Sequence, residues 1–192
     1  MSTLLEFVKS YNVIPKKICN NLLKIFKKED YHYHSWQLYG EDKGSRKEQE
    51  LKNYNLTKKE QDILVPFVLD AISKYQNDIY SNYSVLNFSG ASPSLVCNLS
   101  PFRLNKYDKN TNMACHIDSI HSLFDGNEKG IPVLSIVGVL NDNYKAGEFK
   151  ILDKEIILKQ GDILVFPSNF MFPHQVKTIE KGTRYSFVTW AY

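Results

Sequence analysis

Residues 107–118 of this chain read Tyr-Asp-Lys-Asn-Thr-Asn-Met-Ala-Cys-His-Ile-Asp, and the closing His116-Ile117-Asp118 constrains the fold more than any other stretch. On a β-strand, side chains two apart share a face. His116 and Asp118 would then aim an imidazole nitrogen and a carboxylate oxygen at one point. Two histidines and one carboxylate on one face of an octahedral ion leave neighbouring positions open and favour non-haem Fe(II). The pair asks the rest of the chain for one more ligand and for a place to seat a second molecule.

His174, in Phe172-Pro173-His174-Gln175-Val176 at the start of a predicted strand, is the candidate third ligand. Arg184 opens the last predicted strand, and alternation puts Arg184, Ser186, Val188 and Trp190 on one face. A guanidinium facing a pocket beside such an ion can grip a distal carboxylate through two parallel hydrogen bonds. A dicarboxylate whose other end chelates the metal would satisfy both groups. Such an anion has a reason to be there, because an uncompensated buried charge costs several kcal/mol. Cys115 is expected on the opposite face, in the core. His121 falls off the alternating face and reads as loop, facing substrate.

The N-terminal half reads differently. Residues 1–12 suggest little beyond a short strand or an ordered tail. From Pro15, a residue suited to a first helical turn, Ile18, Leu22, Ile25 and Phe26 fall on one face, with Lys16, Lys17, Lys24, Lys27 and Lys28 forming a solvated one. Residues 30–56 are polar and irregular. His32 and His34 alternate there without a nearby third ligand, and a long aromatic and charged loop of this kind suits a cover over a site. Thr57-Lys58-Lys59-Glu60 reads as a capping box. Behind it Ile63, Leu64, Phe67, Val68, Ala71, Ile72 and Tyr75 recur at helical spacing, with Pro66 expected to kink that helix or reset its start.

From about Leu95 strands and turns take over: 95–99, 102–107, the nearly all-apolar 133–140, 148–152, 155–158, 163–167 and 184–190. Gly161-Asp162 and Gly182-Thr183 turn the chain between the last of them. Short strands with frequent turns imply an antiparallel sandwich. The expected fold is mainly β within an α+β class: a double-stranded β-helix, or jelly roll, with N-terminal helices packed on the sheet. Residues 1–192 are expected to form one domain, with 1–94 a helical and loop support region and 95–192 the jelly-roll core.

Composition narrows the class. At 43% hydrophobic and 13% aromatic, the sequence is globular. A formal charge of +3 lacks the concentrated basic face that argues for nucleic acid. Cys19, Cys97 and Cys115 are odd in number and widely spaced, which fits a reducing compartment better than a disulfide framework. No signal peptide or apolar run of the roughly 20 residues needed for a membrane span is evident. A soluble cytoplasmic protein is expected.

Over residues 95–192 the sequence resembles the Fe(II)- and 2-oxoglutarate-dependent dioxygenases, most closely their prolyl-4-hydroxylase-like branch. The resemblance rests on Arg103-x3-Tyr107 leading to His116-x-Asp118, then Leu140-Asn141-Asp142, Gly147-Glu148-Phe149, Gly161-Asp162, His174 and Gly182-Thr183-Arg184-Tyr185-Ser186-x3-Trp190. It implies that His116, Asp118 and His174 hold Fe(II) while Arg184 grips the C5 carboxylate of 2-oxoglutarate. Tyr107 then supplies a hydroxyl to the co-substrate, with Ser186 as a candidate second donor. The implied activity is hydroxylation of a peptide or small molecule, a peptidyl proline among the candidates. It uses O2 and is coupled to decarboxylation of 2-oxoglutarate to succinate, with ascorbate as a candidate reductant. Asp118 favours hydroxylation, since halogenating relatives lack that carboxylate. Two positions depart from the pattern. Val139 stands where some relatives carry tyrosine, and Asn110 stands where glycine is common, a residue that tolerates left-handed backbone. A bare His-x-Asp occurs often by chance; its ordered combination with a distal histidine and then an arginine does not. The competing readings are a non-catalytic cupin-type metal module, which has no need of Arg184, and a nucleic-acid demethylase. Such demethylases carry a second arginine at the position of Trp190.

Overall fold

The computed structural model describes residues 3–35, 50–82, 96, 98–118 and 131–192. The parts of these expectations that fall on residues 36–49, Leu95, Cys97 and His121 lie outside them. A 3-10 turn at Thr3–Phe7 precedes β1 (Lys9–Asn12), α1 (Lys16–Phe26), β2 (His32–Tyr33), β3 (Lys52–Asn55) and α2 (Lys58–Asn82). Then follow β4 (Arg103–Tyr107), β5 (Met113–His116), β6 (Leu134–Val139), β7 (Lys145–Ala146), β8 (Phe149–Ile151) and β9 (Lys154–Ile156). The chain ends with β10 (Asp162–Pro167), β11 (His174–Val176), β12 (Ile179–Lys181) and β13 (Arg184–Ala191).

Two antiparallel sheets face each other as the jelly-roll expectation requires. The larger has the order β1-β10-β6-β13-β4-β3-β2 and the smaller β5-β11-β8-β9, with β12-β7 a separate pair. Period-two alternation divides the large sheet's side chains between two layers. Leu104, Ile136, Ile163, Val165, Phe187 and Ala191 pack on α1 and α2. Val137, Leu164 and Phe166, one position out of phase, pack instead against Phe149, Ile151 and Val176 of the small sheet. Gly138 serves the first layer: a Cβ there would come within 2.1 Å of the Phe187 ring, which stacks on Phe102. A fully buried Leu or Phe contributes roughly 1.5–3 kcal/mol against chain entropy, so the two layers together carry the fold.

The helices form where the sequence places them, with shifted faces. In α1 the buried residues are Cys19, Leu22, Leu23 and Phe26, whereas Ile25 is exposed and Ile18 only packs at the margin. The five lysines are solvated, as expected. The capping box is made: the Thr57 N–H donates to Glu60 Oε2 (2.7 Å), and the Glu60 N–H reaches Thr57 Oγ1 (3.4 Å). Pro66 does not reset the start of α2, which runs through it. Ile63, expected in the core, is exposed, because the buried stripe follows Leu64, Val68, Ala71, Ile72, Tyr75 and Ile79. No helix among the described residues is long and apolar enough to cross a membrane.

The N-terminal half supplies more than helices. β1 pairs with β10, and β3 pairs with β4, so the N-terminal stretch takes the short-strand alternative, and it and part of the segment read as irregular complete both ends of the large sheet. His34, just past β2, is buried with its Nδ1 3.3 Å from the Asn53 amide. Burial, helped by the nearby Arg103 charge, lowers its pKa to about 4. The unfolded chain, with an ordinary histidine value near 6.5, therefore binds more protons than the folded one between those limits. Stability from this group is complete above about pH 6.5 and is lost as pH falls toward 4. Thermal melts of metal-chelated protein should show a lower midpoint at pH 5 than at pH 7, and His34→Gln should flatten that slope. An unchanged slope would refute the assignment.

Candidate metal centre

The face of the large sheet that looks toward the small one is unusually polar. β4 contributes Arg103, Asn105 and Tyr107, β6 contributes Ser135, and β13 contributes Arg184, Ser186, Val188 and Trp190. Opposite them β5 and β11 pair in a register that sets His174 against His116, with ring centroids 4.2 Å apart. Asp118 follows β5 beyond its last paired residue. The strand alternation assumed for His116 and Asp118 thus ends at His116, and a side-chain contact holds the carboxylate instead: Ser135 Oγ donates to Asp118 Oδ2 at 2.6 Å.

Ligand atoms of His116, Asp118 and His174 all lie within 4.8 Å of one another. Both imidazoles use Nδ1 toward a main-chain oxygen, His116 to Ala114 (2.8 Å) and His174 to Phe172 (3.0 Å). A carbonyl only accepts, so the proton sits on Nδ1 and Nε2 presents its lone pair. The two Nε2 atoms lie 3.7 Å from the two Asp118 oxygens. That is too long for a hydrogen bond and suits oxygens and nitrogens that share an ion. Burial, and then the adjacent His174, lower the His116 pKa to about 4, with the Asp118 charge opposing. The ring is accordingly neutral and able to ligate at physiological pH. Phe149 stacks on His174 and Phe166 meets it edge-on, which fixes the ring plane. This donor set fits a divalent ion with open positions.

Deeper in, Arg184 is 1% exposed, its guanidinium 5.0 Å from the centroid of the Tyr107 ring. Its Nη1 donates to Ser186 Oγ (2.7 Å), whereas Nε and Nη2 are buried with no partner. Burial raises the Tyr107 pKa above the ordinary phenol value, opposed by the charges of Arg184 and Arg103, so the hydroxyl stays protonated and can donate. All the sequence-nominated residues His116, Asp118, His174, Tyr107, Ser186 and Arg184 therefore gather in one region. Asn110 takes the left-handed backbone its position calls for (φ 66°). Cys115 does not enter the core. It is exposed, because the outward face of the small sheet carries no covering layer among the described residues. His32 is exposed and His34 is buried elsewhere, so neither joins the cluster.

Three residues were given no role by the sequence reading. Arg103 and Asn105 line the same cavity as the histidines, and period two from Tyr107 would have found both. Ser135 carried no such signal, since its contact with Asp118 depends on how β6 passes the end of β5.

Comparison with known proteins agrees with the geometry. Residues 102–192, just under half of the chain, match the family model described as the 2OG-Fe(II) oxygenase superfamily. No curated protein matches. Among solved structures, a prolyl hydroxylase from Trichoplax adhaerens in complex with a hypoxia inducible factor oxygen degradation domain peptide fragment aligns with TM-score 0.68 at 13% identity, over 97% of this chain and 84% of that one. A Pseudomonas putida prolyl-4-hydroxylase aligns with TM-score 0.63 at 12% identity over 96% and 91%. The viral collagen prolyl hydroxylase of Paramecium Bursaria Chlorella virus-1, as its 2OG complex, gives 0.61 at 12% over 96% and 94%. At such identities the likeness is one of fold.

The contact between Ser135 and Asp118 generates a prediction. Titrated with Mn(II), the protein should bind one equivalent, and Ser135→Ala should weaken that binding about tenfold, as lost support of a ligand typically does. Unaltered affinity would show that the hydroxyl does not orient the carboxylate.

Proposed function

Given a 2OG-Fe(II) oxygenase domain over residues 102–192 on a prolyl-hydroxylase-like fold, we propose that His116, Asp118 and His174 hold Fe(II), that Arg184 anchors 2-oxoglutarate, and that the enzyme hydroxylates a peptide substrate, with a prolyl residue the favoured target. The observation that carries this reading is the buried guanidinium of Arg184, with two nitrogens lacking any partner, set behind the three-residue cluster. A cation so placed is costly unless an anion joins it. A cupin-type metal module has no use for it. The demethylase reading is weakened by Trp190 standing where a second arginine would be.

Bound Fe(II) would supply the redox chemistry that couples decarboxylation of 2-oxoglutarate to hydroxylation. The side chains supply position. Arg184 takes one carboxylate of the co-substrate through Nε and Nη2, while Ser186 holds Nη1 and so fixes the guanidinium plane. Tyr107, protonated and stacked against that plane, donates its hydroxyl toward the same carboxylate. Ser135 keeps Asp118 turned to the ion. No side chain has to act as a general base, because geometry and the ion carry the reaction. The prolyl target draws support from the company the fold keeps, since the neighbours described above are prolyl hydroxylases, one of them seen with a peptide.

Purified protein should convert 2-oxoglutarate to succinate only with Fe(II) and O2 present, and Asp118→Ala should abolish the turnover. Turnover persisting in that variant would defeat the assignment. Arg184→Gln should raise the 2-oxoglutarate concentration needed for half-maximal rate roughly 10- to 100-fold, the worth of a charged hydrogen-bond pair, with Fe(II) affinity unchanged. Mapping of oxygen-addition sites in proline-containing peptides by mass spectrometry tests the target residue.

A further inference from the structure

Arg103 is the group in the cavity that co-substrate binding leaves without a task. It begins β4 on the face shared with Asn105 and Tyr107, and it lines the cavity with His116, Asp118 and His174. Its guanidinium lies over the Trp190 indole, 5.5 Å from the ring centroid, and its Nε is buried with no hydrogen-bond partner. Among the described residues no carboxylate comes within ion-pair distance of it. Trp190 Nε1 and Asn105 Oδ1, in the same wall, are likewise buried without partners. The wall thus offers two orphaned donors and one orphaned acceptor.

Distance separates this group from the co-substrate anchor. Register sets Arg184 opposite Tyr107 and Arg103 opposite Val188. Four residues of strand amount to roughly 13 Å, whereas the four carbon–carbon bonds of 2-oxoglutarate span at most about 6 Å. A molecule held by Arg184 at one end and the ion at the other does not also satisfy Arg103. Charge gives the same answer. A divalent ion and Arg184 are matched by Asp118 and the two carboxylates of 2-oxoglutarate, so Arg103, which feels the Asp118 charge but would share it with the ion, is the cation left in excess.

Resting on the oxygenase reading above, we propose that Arg103, lying over the Trp190 ring, binds a carboxylate of the primary substrate, so that this enzyme selects acidic substrates. The carboxylate is either an aspartate or glutamate side chain close to the hydroxylated residue or the free C-terminus of a peptide. A guanidinium stacked on an indole is already oriented, so little rotamer freedom is lost when it takes the anion. Asn105 Oδ1 and Trp190 Nε1 then serve the neighbouring amide, one as acceptor and one as donor.

The test loads wild type and Arg103→Gln with Mn(II) and N-oxalylglycine, an unreactive analogue of 2-oxoglutarate, and pans both against a random synthetic peptide library. The library is offered once with free and once with amidated C-termini. Wild type should enrich Asp and Glu at one position, or free over amidated termini, roughly tenfold; the first outcome identifies a side chain as the source and the second a terminus. Arg103→Gln should lose that preference while binding N-oxalylglycine within about twofold of wild type, which also shows that it folds. Arg103→Lys, keeping charge without the stacked plane, should show an intermediate preference. A flat selection by wild type, or one unaltered in Arg103→Gln, overturns the proposal. So does weakened N-oxalylglycine binding in Arg103→Gln, which would hand Arg103 to the co-substrate. If wild type itself fails to bind N-oxalylglycine with metal, the oxygenase reading falls, a result distinct from a flat peptide selection on a loaded enzyme.

Discussion

His174 on β11 stands directly opposite His116 on β5, and the rest of the site is arranged around that cross-strand pair. Strand pairing has a period of two, so a slip of one residue would turn one imidazole to the outer face and leave nothing to bind an ion. The ladder tolerates an irregularity just beyond the pair: Val176 meets Met113, so Ala114 and Cys115 together face Gln175. An extra residue of this kind bends a strand, and here it falls immediately before His116. Two main-chain carbonyls, of Ala114 and Phe172, then lock both rings by the same i to i−2 bond. The two histidines are oriented by backbone, which side-chain rearrangement cannot easily disturb.

The price of the site is a polar layer inside a hydrophobic sandwich. Asn105, Ser135, Ser186 and Arg184 are all buried on the face where Val137, Leu164 and Phe166 otherwise pack. Each unpartnered polar atom there costs on the order of 1–3 kcal/mol, and a charge costs more. The layer on the other face of the same sheet is almost wholly apolar and bears on both helices. One sheet therefore has a stabilising face and a functional face, and alternation keeps them from interfering. Neutral His34 belongs to the same economy: protonated, it would add a second positive charge close to Arg103.

The clustering of His116, Asp118 and His174, with Arg184 buried nearby, was legible because their spacing on strands expresses chemistry directly: His-x-Asp, then a histidine, then an arginine, each at or beside a strand that hydrophobic runs and glycine turns delimit. The capping box was legible for the same reason, since its two partners are local. Cys115 was misjudged because alternation predicts which face a residue takes but not whether that face is covered. Ile25 and Ile63 were misjudged on similar grounds. Helical spacing marks an apolar stripe, and only the packing partner decides where its centre lies. Ser135 could not be read at all, for its contact with Asp118 arises from the crossing of β6 past the end of β5 on another sheet. Arg103 was visible as part of a motif but had no task until its empty surroundings were seen.

The N-terminal half, which lies outside the family match at 102–192, completes the functional wall instead of merely supporting it. β4 carries Arg103, Asn105 and Tyr107, and in the order of the large sheet it sits between β13 and β3. Without β3 it would be an edge strand, with one row of backbone groups unpaired and nothing to hold its twist. β3 pairs with it through all of Lys52–Asn55, opposite Arg103 to Lys106. At the far end β1 does the same for β10, whose partner β6 holds Ser135. β3, from the sequence segment that looked least regular, thus makes an interior strand of β4, which has Arg103 at one end and Tyr107 at the other. A site that must hold Arg103 and Arg184 in fixed places relative to the histidine pair gains from such bracing, and the bracing is assembled from both halves of the chain.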